Sequence, residues 1–293
     1  MFEDPIVAAI RARLTSALAP PGERLRALWI DGHAVGWVDR QRAARLSAFD
    51  GVFRVDDHAI QFLPQLADAP ARTNALDRVA RTLAGEGALT AWRDERYAIA
   101  PDIGAPPWFL LERAAARYFG MRTFAAHVNG LVDEAGIISM WFARRSSTKA
   151  IDPGMLDNLV GGGIAAGQTI AGTVVKESWE EAGIGANVAA SARPAGTVDI
   201  CRAQSDGLQR ETIFVHDLWL PVAFVPVNQD GEAVEHRRVA LPEAARLIAI
   251  EHGPDEVTAD ASLVVLDCLL RRGALAAGDP DLRALAALRS GGA

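Results

Sequence analysis

Apolar positions recur along this chain with two different periods, and the changes of period divide it into elements. Over residues 5 to about 19, Ile6, Ile10 and Leu14 stand four apart, the spacing of one helical face, and Pro20-Pro21-Gly22 stops the helix. Leu25 to Ile30 and Ala34 to Val38 read as short strands around Asp31-Gly32, a hairpin signal. A helix over residues 40–48 and a strand over 51–55 follow. The stripe Leu76, Val79, Ala80 and Leu83 then predicts a helix over about 73–83. Arg96 to Ala100 predicts a strand, and the breaker-rich Pro101, Gly104, Pro106 and Pro107 lead to a predicted helix near Phe109 to Phe119.

At Gly120 the pattern changes. Thr123 to Val132 begins a new alternation, Asp133-Glu134-Ala135-Gly136 is a turn, and Ile137 to Ala143 pairs as the next strand. We therefore expect a smaller α+β domain over residues 1–119 and a second domain over 120–293. The second continues in strand, loop, helix, strand order and closes with helices over about 242–250 and 257–272. The tail from Ser290 is expected to fray.

With 293 residues, half of them hydrophobic, the chain has enough apolar surface for two such cores. Its formal net charge of −7 argues against nucleic acid and anionic membrane as partners, because both draw on dense positive charge. An anionic small molecule would need local rescue by arginine, lysine or a metal ion. Cys201 and Cys268 are too few for a disulfide framework and lack metal-ligand spacing, which points to a reducing, cytoplasmic setting. Neither an export signal nor a membrane span is visible in the pattern. Internal repeats and low-complexity tracts are also missing from it.

The passage that narrows the chemistry is Lys176-Glu177-Ser178-Trp179-Glu180-Glu181-Ala182-Gly183-Ile184, preceded by Gly161, Gly162 and Gly163. On a helix, Glu177, Glu180 and Glu181 stand at i, i+3 and i+4, so three carboxylates crowd one face and repel unless a cation joins them. Oxygen ligands alone suit Mg²⁺, with Mn²⁺ as the substitute, and Mg²⁺ commonly completes its shell with water and substrate phosphates. The glycines would let backbone approach those phosphates or the metal. A solvated acidic face is the plainer alternative.

The order of these parts resembles the Nudix box, with Gly162, Glu177, Glu180, Glu181, Gly183 and Ile184 at the expected spacing. Three positions depart from it: Gln168 stands for the first Glu, Lys176 for the Arg and Ser178 for the aliphatic residue. Gln168 removes a charge, and Lys176 offers a point charge without the planar fork of arginine. Lys149 and Lys176 are the only two lysines in a chain that otherwise uses arginine. The wider run from Arg144 to Glu235, including Asp206-Gly207-Leu208-Gln209-Arg210-Glu211-Thr212, is similar to the Nudix branch attached to some fungal thiamine pyrophosphokinases. That resemblance implies an α+β fold, a Nudix α/β/α sandwich with a mixed sheet, and hydrolysis of thiamine diphosphate or its damaged analogues to the monophosphate with a divalent metal. It also implies a metal contact from the Gly162 carbonyl.

Glu177 and Glu181, one turn apart, are the first choices as metal ligands, and Glu180 is a third ligand or orients the attacking water. Glu235 is the distant candidate for a further ligand or base, with Glu232 its close competitor. Arg144, Arg145 and Lys149 lie at a strand end and in its loop, placed to take phosphate oxygens. Asp157 and Asn158 suit either a turn or a substrate contact, turn chemistry being the safer reading. His33 and His58 read as turn or surface residues, His127 and His216 as strand residues. Trp29, Trp37 and Trp92 are candidates for a ring-binding wall or for core packing. Two other functions fit parts of this pattern. Gln168 and Lys176 would suit a noncatalytic Nudix-fold binding module, and an isopentenyl-diphosphate isomerase-like enzyme would need a reactive cysteine, for which Cys201 offers no motif.

Overall fold

A computed structural model describes residues 4–290 except 20, 23, 276 and 277. Its elements run α1 (Pro5–Ala17), β1 (Arg26–Ile30), β2 (His33–Val38), α2 (Arg40–Leu46), β3 (Phe53–Val55), β4 (Ala59–Phe62), α3 (Ala69–Gly85), β5 (Arg96–Ile99) and β6 (Phe109–Glu112). They continue as β7 (Arg122–Glu134), β8 (Ile137–Arg145), β9 (Leu156–Asn158), β10 (Val160–Gly163), α4 (Ile170–Ala182), α5 (Ala186–Ala189), β11 (Arg193–Gln204), β12 (Gly207–Trp219) and β13 (Ala233–Ala240). The last helices are α6 (Leu241–Leu247), α7 (Ala259–Arg271) and α8 (Asp279–Leu288).

The C-terminal part is built on a mixed sheet in the order β11-β12-β7-β8-β13, with β10 added to β7 and β9 to β8. Only β12 and β7 among its neighbouring long strands run parallel, over Arg210–Trp219 and Arg122–Leu131. Strand β7 is buried along both faces, and alternate residues feed different cores. Phe124, Ala126 and Val128 pack with Val174 and Ala182 of α4, while Ala125 and Leu131 pack with α6 and α7. Helices thus cover both faces of the sheet, the sandwich that the resemblance implies.

The N-terminal part places β2-β1-β4-β3 and the β5–β6 pair around a core with α2 and α3. Its first helix does not join that core. Val7, Ile10 and Leu14 of α1 pack with α6, α7 and Leu285 of α8. Buried Arg13 fixes the docking: its guanidinium donates to the Ile248 carbonyl at 2.7 Å, to Ser262 Oγ at 2.8 Å and to the Val257 carbonyl. The helical period of α1 was legible, but not which core it would choose.

Two expectations are corrected. Residues 109–119 are not a helix: Phe109–Glu112 pair with β5 in register Tyr97↔Leu111, and a single 3₁₀ turn follows at Arg113–Ala115. Phe109 and Leu111, two apart, are both buried, so a period of two won over the helical reading of the same apolar run. At the C-terminus, Ser290 bridges Asp199 rather than fraying, and residues 291–293 lie outside the described residues, as does Pro20 at the end of α1. Among the described residues, no helix is long and apolar enough to cross a membrane.

Candidate active site

Helix α4 begins where Thr169 caps it, its side chain accepting from the Gly172 N–H at 3.0 Å, and ends at Gly183, whose left-handed φ of 66° suits glycine. It lies against β10. Each of the three glycines there makes room for a different side chain. A Cβ on Gly161 would stand 2.9 Å from the His127 ring, one on Gly162 would stand 2.5 Å from the Glu177 carboxyl carbon, and one on Gly163 would stand 2.0 Å from the Tyr97 hydroxyl. At contacts this short a larger residue would have to displace its neighbour, so close packing accounts for the glycine run on its own.

The three glutamates do not share one environment. Glu181 is turned inward and its Oε2 accepts from the Gly161 N–H at 2.8 Å. Burial raises its pKa well above the ordinary carboxylate value, that single hydrogen bond being insufficient compensation. Glu177 lies against Gly162, and burial raises it too, against the pull of Lys176. Glu180 faces outward to Lys176, whose Nζ reaches Glu180 Oε2 at 2.7 Å and Glu177 Oε1 at 2.9 Å. Partial burial works against the lysine charge, but these two carboxylates raise its pKa. Lys176 therefore neutralises two glutamates without clamping either one, as a point charge should. The expected convergence of three is not formed: among the described residues, no three His, Cys, Asp or Glu side chains stand ready to hold an ion.

The two remaining departures from the box are also explained by position. Gln168 is exposed one residue before the cap of α4. Ser178 is fully buried, and its Oγ has no hydrogen-bond partner, so an apolar side chain would suit the site as well.

A cavity of about 420 Å³ opens in front of β10 and is lined by Gly161, Gly162, Gly163 and Glu177 on this side. Arg145 and Lys149 line it as well. Arg145 is held by Asp157 Oδ2 at 2.7 Å and by the Asp152 carbonyl at 3.1 Å, and Lys149 Nζ is paired with Glu232. Arg144 and Glu235 are not part of the lining. They bond each other at 2.6 Å, and Arg144 also holds Asp255 at 2.7 Å and the Gly154 carbonyl at 3.1 Å. The reason is strand alternation: Arg144 and Arg145 are neighbours on β8, so only one can face the cavity.

Several cavity residues were not singled out from sequence. Glu211 on β12 accepts from Thr123 Oγ1 at 3.0 Å and from Gln209 Nε2 at 3.3 Å, and Gln209 also donates to Asp260 at 2.9 Å. Burial first, then the Asp260 charge, raises the Glu211 pKa. The signal was present as the period-two pair Gln209 and Glu211. The N-terminal part contributes Arg93, Tyr97, Arg113 and Arg117 to the same cavity. Arg113 and Arg117 fall in the stretch read as a helix, which hid them, while Arg93 and Tyr97 carried no motif of their own. His127 sits on β7 with its Nδ1 2.8 Å from Asn158 Oδ1, and His216 on β12, the strand placements expected of both. Trp29, Trp37 and Trp92 form no common wall. Arg210 stacks on Trp37 at 3.9 Å and Arg81 on Trp92 at 5.1 Å, while Trp29 is partly exposed. Cys201 is half-buried on β11 and does not line the cavity.

Comparison with known proteins finds two families along the chain. The family described as "NUDIX domain" matches residues 121–261, and "Domain of unknown function (DUF4743)" matches residues 13–123. Nudix hydrolase 20, chloroplastic, of Arabidopsis thaliana is 35% identical over 254 residues, 83% of this chain and 67% of that protein. Nudix hydrolase 24, chloroplastic, of the same plant is 34% identical over 253 residues, 86% of this chain and 68% of that protein. A solved MutT protein from Methanosarcina mazei Go1 is 19% identical with a TM-score of 0.39, covering 52% of this chain and 95% of its own.

Proposed function

The chain belongs to the Nudix hydrolases, enzymes acting on phosphoanhydride bonds, and we propose that its substrate is thiamine diphosphate or a damaged analogue, cleaved to the monophosphate and phosphate with Mg²⁺. The observation that carries this reading is the pairing of Glu177 and Glu181 with β10, whose glycines line the cavity together with Glu177, Glu181 lying behind them.

The residues fit the metal. Burial disfavours the ionised form of both Glu177 and Glu181, a cost that a bound cation would offset, and one or two carboxylates with a backbone oxygen suffice for Mg²⁺. Glu177, Glu181 and the Gly162 carbonyl would hold it; once bound, it neutralises phosphate charge and acidifies a water.

In the reaction, water adds to the terminal phosphorus, the bridging P–O bond breaks, and the bridging oxygen leaves with the monophosphate. Arg145 and Lys149 take the non-bridging oxygens, Arg145 already oriented by Asp157. The water's proton passes to a carboxylate inside the cavity. Glu211 lines the cavity and burial raises its affinity for a proton, so it suits that role better than Glu180 or Glu235, which face elsewhere. The thiamine assignment is supported by the resemblance running from Arg144 to Glu235 and by a cavity of small-molecule size.

The test is Mg²⁺-dependent phosphate release from thiamine diphosphate and its oxidised analogues, beside nucleoside, sugar and dinucleotide diphosphates. Glu181→Gln should lower turnover roughly 100-fold. Unchanged turnover in that variant removes the basis of the mechanism, and a preference for another diphosphate removes thiamine.

A further inference from the structure

We propose that the N-terminal region is half of the substrate site: Arg113 and Arg117, with Arg93 at the rim, form an anion-binding wall that grips the diphosphate from the side opposite the glutamates.

The charges around the cavity are sorted by region. From residues 90–121 come Arg93, Arg113 and Arg117 and no carboxylate at all. From residue 145 onward come seven carboxylates against three cations. A diphosphate held against the acidic side would turn its outer oxygens toward three guanidinium groups, each suited to bidentate contact with phosphate.

The arginines are fixed there by contacts across the junction. Tyr97 is packed over Gly163 of β10, and the Ala166 N–H donates to the Arg96 carbonyl at 2.8 Å. The Leu208 N–H donates to the Arg117 carbonyl at 2.9 Å, and a Cβ on Gly207 would stand 2.0 Å from that same carbonyl oxygen. Arg113 follows β6 directly in the 3₁₀ turn, lies over the Tyr97 ring at 5.8 Å, and has its partner Glu95 outside the cavity lining. Arg117 and Arg93 hold looser ion pairs, 3.5 Å to Asp206 and 4.0 Å to Glu232. Such pairs exchange readily for a phosphate.

This inference rests on the diphosphate-hydrolase reading but is tested apart from it, by calorimetric binding of methylenediphosphonate in the presence of Mg²⁺ to the full chain. Arg113→Gln and Arg117→Gln should each weaken binding about tenfold, and Arg113→Lys and Arg117→Lys less than the Gln variants. Arg93→Glu changes a half-exposed rim side chain, so it tests the wall should either Gln variant fail to fold; it should weaken binding and flatten its salt dependence. Binding within twofold of the parent in all folded variants overturns the wall. If the variants lose binding while the parent hydrolyses no diphosphate, the wall stands and the proposed reaction falls.

Discussion

The hydroxyl of Tyr97, on β5 of the N-terminal part, occupies the space above Gly163 at the end of β10, 2.0 Å from where a Cβ would be. Tyr97 is itself only 7% exposed, so it cannot swing aside freely. Gly163→Ala should therefore destabilise the protein by about 1–3 kcal/mol through overpacking at the junction. Tyr97→Phe, which removes the nearest atom, should recover part of the loss in the double variant. Thermal unfolding of the four proteins in the cycle checks this, and simple additivity would refute the contact.

Gly162 is one residue away with a different neighbour. A methyl group there would press on the carboxyl carbon of Glu177 at 2.5 Å, displacing a proposed metal ligand. Gly162→Ala should lower Mg²⁺ affinity by roughly 10- to 100-fold. Calorimetric titration with Mg²⁺ is the measurement, and parent-like affinity would show that Glu177 is not a ligand.

Glu211 supplies the pH dependence. Burial and then Asp260 raise its pKa in the folded protein, so the folded state holds the proton more tightly than the unfolded state. Its contribution is least favourable above the folded pKa, where both states are ionised. Stability recovers as pH falls from there to the ordinary carboxylate range. As pH rises from the ordinary carboxylate range, the melting temperature of the parent should fall relative to that of Glu211→Gln. A difference that stays constant as pH rises would refute the raised value.

Arg13 tests the attachment of α1 to the C-terminal core. Its side chain is 4% exposed and satisfies the carbonyls of Ile248 and Val257 together with Ser262 Oγ. Arg13→Met keeps much of the volume but strands those acceptors, at a cost of about 2–3 kcal/mol. Denaturant unfolding measures the loss. Hydrogen exchange should show α1, α6 and α7 loosening together while α3 keeps its protection, and loosening confined to α3 would contradict the packing.

What the sequence made legible follows the length and regularity of each signal. The stripe of α3, the Asp31-Gly32 hairpin and the glutamate spacing on α4 are local patterns, and all three appear as read. The segment Phe109 to Phe119 failed because the apolar run Phe109, Leu110 and Leu111 fits either period, and pairing with β5 decided between them. Which face each glutamate would take was beyond local reading as well. Glu181 turned inward because a backbone N–H on a neighbouring strand met it, and Glu180 outward because Lys176 did. The arginine wall depends on a junction between regions some fifty or more residues apart, for which periodicity carries no information.

Glu235 gives the sharpest separation between what spacing suggests and what packing allows. The Asp230-Gly231-Glu232 turn just before it made it a candidate ligand or base, yet its carboxylate bonds Arg144 at 2.6 Å outside the cavity lining. Its side chain is 46% exposed, so removing the charge costs little stability, within about 1 kcal/mol. Glu235→Gln should keep turnover within about threefold of the parent, because an exposed ion pair away from the reacting atoms supplies no more than that. Glu211→Gln should instead lose about 100-fold or more in kcat, as expected when a proton acceptor is removed. Steady-state kinetics on the two variants side by side decides the matter: a collapse in Glu235→Gln with Glu211→Gln intact would return the base to Glu235 and require β13 to move into the cavity during the reaction.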